Sequence, residues 1–166
     1  MLGIDIVDLA DPLIRTRRSA LRFISNKGDE YPETENIFWI LWAAKEAVFK
    51  VDRIVTSFQP KQIAVKLQYS KGGFCFSSED ISGYILVDSS KIIAVAYQNN
   101  LEVAIQIFQK DVNDWSRAIR NELHQFFARK NLDVRLSKCP QGLPILNDQP
   151  LSFSHHGKFG AFAYIR

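Results

Sequence analysis

Ile37 to Val51 contains neither glycine nor proline and reads Phe-Trp-Ile-Leu-Trp-Ala-Ala-Lys-Glu-Ala-Val-Phe-Lys from Phe38. A helix this apolar nearly all round has to be covered on more than one side, so the remainder of the chain must supply walls for it. With 166 residues, 46% of them hydrophobic and 23% charged, the chain can do so. It is long enough for one compact unit of two small lobes, and too short for two independent domains of typical size.

The walls are strands. Leu2, Ile4 and Ile6 alternate with Gly3, Asp5 and Val7, which predicts an opening strand with one apolar face and Asp5 turned away from it. Residues Pro12 to Phe23 carry a helical pattern, with Leu13, Ala20 and Leu21 among Arg15, Arg17, Arg18 and Arg22. A polar loop from Ser25 to Asn36 leads into the apolar helix. Beyond it, Ile63 to Tyr69 alternates as a strand, Tyr84 to Val87 and Lys91 to Tyr97 form a hairpin around Asp88-Ser89-Ser90, and Glu102 to Phe108 is a further strand. Asp111 to Asp114 offers caps for a helix from Trp115 to Lys130, with apolar positions Trp115, Ile119, Leu123, Phe126 and Phe127. Turn signals at Gly142-Leu143-Pro144 and Asn147 to Pro150 precede final strands at Leu151 to Ser154 and Phe159 to Ile165. The class is α+β. Lys91 to Tyr97 matches Lys158 to Tyr164 at the lysine, two alanines and the tyrosine, and Ile4-Asp5-Ile6 pairs with Ile105-Gln106-Ile107. These repeats predict two lobes of one topology, 1–98 and 99–166. Gln106 then stands where Asp5 does, so one site per chain is expected.

Charge and cysteines exclude more than they specify. A net charge of +3 and a pI near 8.9 suit an anionic ligand or an acidic partner. Only this mild basicity and the aromatic content favour a nucleic-acid-binding module, and no nucleic-acid partner is expected. Cys75 and Cys139 have no metal-site spacing and read as ordinary thiols of a reducing compartment. The aspartates near Met1 interrupt any signal-peptide core and no apolar run reaches membrane-spanning length, so the expected location is the cytoplasm, away from membranes.

Chemistry is concentrated in three places. Glu46 and Lys50, four apart, share a helix face with Trp39 and Ala43, while Lys45 points roughly a hundred degrees away. An i,i+4 ion pair is the ordinary explanation. On an apolar helix, however, a carboxylate is costly unless a ligand or a reaction requires it. Asp5 presents the same case. Two carboxylates on adjacent buried elements make a hard oxygen site suited to magnesium, which takes water and phosphate oxygens to complete its octahedron. Ser154-His155-His156-Gly157 could hold a phosphate through a hydroxyl, imidazoles and turn amides, or could simply be exposed. A Ser-His hydrolase dyad is disfavoured, because adjacent strand side chains point to opposite faces and no strand-turn-helix elbow surrounds Ser154.

Gly3-Ile4-Asp5-Ile6-Val7-Asp8-Leu9, Trp42-Ala-Ala-Lys45-Glu46-Ala-Val-Phe-Lys50, and Gly142-Leu143-Pro144 with Ser152-Phe-Ser154-His155 together resemble the signature motifs of the 4'-phosphopantetheinyl transferase superfamily. Arg22-Phe23-Ile24-Ser25 and Arg117-Ala-Ile-Arg120 extend the likeness over most of the chain. The resemblance implies a two-lobed fold of the holo-acyl-carrier-protein synthase and surfactin-synthetase-activator type, each lobe with a small antiparallel sheet and a long helix. It also implies transfer of 4'-phosphopantetheine from coenzyme A to a serine of an acyl or peptidyl carrier protein in fatty acid or polyketide biosynthesis. Carried over by position, Asp5 and Glu46 would hold magnesium, and Lys50 would neutralise the pyrophosphate. Glu46 or a metal-bound water would take the serine proton, and Ser154, His155, Arg117 and Pro144 would face the coenzyme. The lobe with the Gly-x-Pro and Ser-His motifs follows the lobe with Gly-Ile-Asp, the reverse of the two-lobed relatives, so a circular permutation or a fusion of two small synthase copies is expected. That puts Leu2 and Ile165 on neighbouring strands. Val7 stands where two-lobed relatives have a third acid, Leu143 replaces a lysine, and His156 replaces a small hydroxyl residue. Arg15, Arg17, Arg18 and Arg22 could meet an acidic carrier, and the protein is expected to be a monomer. The other reading is a non-catalytic relative that binds a carrier domain or nucleotide without transfer.

Overall fold

The computed structural model describes residues 1–14, 18–51, 57–99, 101–140 and 142–166. Strand β1 (Leu2–Asp8) is followed by α1 (Ile37–Val51), then by β2 (Lys66–Ser70), β3 (Gly73–Ser78), β4 (Ile81–Val87) and β5 (Lys91–Gln98). The sequence of elements then repeats: β6 (Val103–Gln109), α2 (Trp115–Ala128), β7 (Leu136–Lys138), β8 (Pro144–Leu146), β9 (Gln149–His156) and β10 (Phe159–Ile165). The first five strands form an antiparallel sheet in the order β1-β5-β4-β3-β2, and the last five form a second in the order β6-β10-β9-β8-β7. Each lobe is thus a strand, a helix and a meander whose last strand returns to pair with the first. The chain is of the α+β class, with the two lobes of one topology that the resemblance implies.

Three apolar layers hold this together. Alternation puts Val7, Ile92, Ala94 and Ala96 on the face of the first sheet that receives α1, where Ile40, Leu41, Ala44 and Ala47 are fully buried. The opposite face, Leu2, Ile4, Ile6, Ile93 and Val95, packs on Phe159, Ala161, Ala163 and Ile105 of the second sheet. Leu123 and Phe127 of α2 close the far side over Phe162 and Tyr164. The order is helix, sheet, sheet, helix, so α1 and α2 lie on the outside and β1 and β5 run through the middle.

Several expectations change. The Pro12 to Phe23 helical pattern yields a turn at Pro12 and Leu13 and a 3-10 helix at Arg18–Phe23; Arg15 and Arg17 lie outside the described residues. The identity match of Lys91–Tyr97 to Lys158–Tyr164 is one residue out of structural register: Ala94 faces α1, whereas Ala161 faces the other sheet. A one-residue slip reverses every side chain on a strand. By facing, Ala94 corresponds to Phe162, which pairs with Gln106 as Ala94 pairs with Asp5. The pairing of Asp5 with Gln106 therefore stands. Leu2 and Ile165 lie on β1 and β10, which pack across the interface between the sheets but are not hydrogen-bonded neighbours, since β1 pairs with β5 and β10 with β6 and β9.

Candidate active site between the lobes

Gly3 sets the approach of β1 to α1: a Cβ at this position would lie 2.0 Å from the Ala47 carbonyl oxygen. Only a residue without that carbon lets the strand lie so close, and two residues on, Asp5 faces the helix within reach of Lys50. Lys50 Nζ donates to Asp5 Oδ1 at 2.9 Å and to the Ile4 carbonyl at 2.9 Å, and lies 3.2 Å from Glu46 Oε1. From the other lobe, Ser154 Oγ donates to Asp5 Oδ1 at 2.8 Å and accepts from Lys50 Nζ at 3.3 Å. Glu46 is fixed on its other oxygen by Trp42 Nε1 at 3.0 Å, and remains part-exposed where Asp5 is buried.

This geometry sets the electrostatics. Burial is the largest influence on Asp5 and pushes its carboxyl up to about 6, Lys50 opposing and Glu46 adding to the rise. His155 is lowered, first by burial and then by Lys50 and His156. A neutral His155 imidazole lies flat on Trp115, with ring centroids 5.4 Å apart. Lys50 and Ser154 both address Asp5 Oδ1, so the site already seats one cation between two carboxylates. The donors are hard oxygens and fit magnesium. Among the described residues no group of three His, Cys, Asp or Glu converges, so a metal here would depend on water and phosphate oxygens for most of its shell.

Lys50 also lines a cavity of about 150 Å³ with Leu143, Pro144 and Ser152. Pro144 and Phe153 are shared with a second cavity of about 400 Å³ lined by Arg120, Ser137 and Lys138. Pro144 of the Gly-x-Pro turn therefore borders both the cavity that Lys50 lines and the basic one of Arg120 and Lys138. Arg117 is exposed and lines neither cavity; its backbone amide is bound by the Asp114 cap at 3.0 Å. Arg120, one helical turn further, and Lys138 are the cations that sequence reasoning did not select. Spacing alone could have suggested Arg120, because Arg117 and Arg120 share a helix side.

Residues 1–106 match the family model of the 4'-phosphopantetheinyl transferase superfamily. The chain belongs to that superfamily. No curated protein and no solved structure matches it. The matched stretch carries Asp5, Glu46 and Lys50, while Arg117, Pro144, Ser154 and His155 lie beyond it. Phosphopantetheinyl transfer is the activity class of the family, whose members use coenzyme A as substrate and usually magnesium. No described helix is long and apolar enough to cross a membrane.

Lys45, adjacent to Glu46, has a different task. It is wholly buried, with Nζ bound to Asp29 Oδ2 at 2.7 Å and to the carbonyls of Ile24 at 2.8 Å and Pro60 at 3.1 Å. It anchors the loop ahead of α1 and does not reach the site.

Proposed function

We propose that this protein transfers 4'-phosphopantetheine from coenzyme A to a serine hydroxyl of an acyl or peptidyl carrier protein, with magnesium, as a holo-acyl-carrier-protein synthase-like enzyme. The reading is carried by one observation: Lys50 of the matched segment lies within 3.3 Å of Asp5 and Glu46 of that segment and of Ser154 of the other lobe. The division into a metal lobe, 1–98, and a Gly-x-Pro and Ser-His lobe, 99–166, and a cytoplasmic monomer belong to the same reading.

Asp5 and Glu46 would hold magnesium, which when bound neutralises pyrophosphate charge and polarises the reacting phosphoryl group. Lys50 is placed to balance the same charge, and His155 offers a ring nitrogen to the phosphates. Ser154 brings its hydroxyl to Asp5 and Lys50 from the other lobe. Pro144 and the groove of Arg120 and Lys138 suit the nucleotide end, with Arg117 at its margin. The carrier serine oxygen bonds to the phosphorus bearing the pantetheine, the pyrophosphate P–O bond breaks, adenosine 3',5'-bisphosphate leaves, and Glu46 takes the serine proton. Positioning and electrostatics supply most of the rate in such transfers. Arg22, which flanks the exposed ring of Phe23, is a candidate contact for an acidic carrier.

The test is mass spectrometry of apo carrier proteins incubated with the protein, magnesium and coenzyme A, beside Glu46→Gln. The expected result is a phosphopantetheine mass shift that the variant loses. No shift on any carrier, with the protein folded, favours a protein that binds a carrier domain or nucleotide without transfer.

A further inference from the structure

Three alternate amides of β1 donate across the interface between the lobes: Ile4 to Ser152 Oγ at 3.1 Å, Ile6 to Ser154 Oγ at 3.3 Å, and Asp8 to His156 Nδ1 at 3.1 Å. The offset is 148 residues in each case, so β9 runs beside β1 in the same sense. It offers side chains where a sheet neighbour would offer carbonyls. This seam satisfies the outer edge of β1, where no described strand pairs with it through backbone hydrogen bonds. At its end, Asp8 Oδ2 accepts from the Lys158 amide at 3.1 Å, and Gly157 adopts a positive φ of 53° where any Cβ would strike the Asp8 carboxylate. The turn after β9 is thereby fixed to the end of β1.

Ser154 is the middle tooth of the seam and the one that enters the site. Its hydroxyl accepts from Ile6 and Lys50 and donates to Asp5, which fills the one donor and two acceptor positions of a hydroxyl. It is buried, with 6% of its surface exposed. No valence remains for a phosphate oxygen.

We propose that Ser154 is a positioning residue, which holds the Asp5 carboxylate and the Lys50 ammonium in register through the β1–β9 seam and does not ligate the coenzyme. This rests on the transferase reading for its catalytic consequence and on the hydrogen-bond geometry for the rest.

The experiment compares Ser154→Ala and Ser154→Thr with wild type by amide hydrogen exchange, calorimetric titration of coenzyme A, and steady-state kinetics. Ser154→Ala should speed exchange of the Ile6 amide at least tenfold and lower kcat at least thirtyfold. The Kd and KM for coenzyme A should stay within about threefold. Ser154→Thr, which keeps the hydroxyl, should recover both the protection and kcat. If Ser154→Ala does not fold, Ser154→Cys, with its weak acceptor, is expected to give the same split. Unchanged Ile6 exchange would overturn the seam, and a tenfold weaker Kd with kcat retained would make Ser154 a coenzyme ligand. Should the wild type transfer nothing, the exchange data still decide the seam, and that failure counts against the transferase reading alone.

Discussion

Lys50 is the residue on which the site turns, since it touches both carboxylates, the Ile4 carbonyl and Ser154. Replacing it by methionine leaves Asp5 buried without its cation, and kcat/KM for transfer should fall at least a hundredfold, about 3 kcal/mol of transition-state stabilisation. A loss under fivefold in carrier-modification kinetics would remove Lys50 from the reaction. Asp5 gives a pH prediction with a definite sign. Its carboxyl is raised from 3.8 to about 6 by folding, so the native state binds the proton more tightly than the unfolded chain. Stability attributable to Asp5 therefore falls as pH climbs from about 4 to 6, by roughly 3 kcal/mol at most. Urea titrations of wild type and Asp5→Asn across that range should show the fall in wild type alone, and magnesium should diminish it by favouring the charged carboxylate. Parallel curves would mean that Asp5 does not titrate there. Asp5, Glu46, Lys50 and Ser154 were legible in sequence because alternation and four-residue spacing fix which way each points. Lys138 and the partner of Lys45 were not, since each depends on a contact distant in the chain.

At the level of elements, α1 is held by two devices that can be tested separately. Gly3→Ala places a carbon against the Ala47 carbonyl and should cost roughly 3 kcal/mol by forcing β1 away from the helix, read as a lower denaturation midpoint. Lys45→Met strands the Asp29 carboxylate, which also accepts from the Val65 amide at 2.9 Å and the Asn26 amide at 2.7 Å. About 3–5 kcal/mol should be lost. Adding Asp29→Asn should recover part, because the amide oxygen can still accept from Val65. A cost below about 1 kcal/mol would show that the buried pair is not what ties the loop to α1. Sequence reading located α1 and α2 well because long apolar periods and an Asp114 cap mark them. It passed over β7 and β8, three residues each and too short to show a period, and β3, whose buried Phe74 and Phe76 alternate as they should. Where the sequence predicts one helix over Pro12 to Phe23, the described residues hold a turn at Pro12 and Leu13 and a 3-10 helix at Arg18–Phe23, with Leu13 and Phe23 exposed, so the pattern there does not present one buried apolar face.

The molecule as a whole depends on the face shared between the sheets. Leu2, Ile4, Ile6, Ile93 and Val95 are buried there against the second lobe. At about 2 kcal/mol each, their exposure would cost on the order of 10 kcal/mol, comparable to the entire stability of an ordinary domain. Neither half should then stand alone. A fragment of residues 1–98 is expected to self-associate through that face, with a sedimentation coefficient that rises with concentration. Adding a 99–166 fragment should convert it to a one-to-one complex, because β9 supplies the acceptors for Ile4, Ile6 and Asp8 that a second copy of the first lobe lacks. Ser154 arrives with them, so Lys50 and Asp5 regain their partner only in the mixed complex. A 1–98 fragment that stays folded and monomeric at high concentration would show that the first lobe is self-sufficient. The shared face would then be a docking surface and not the core of one unit.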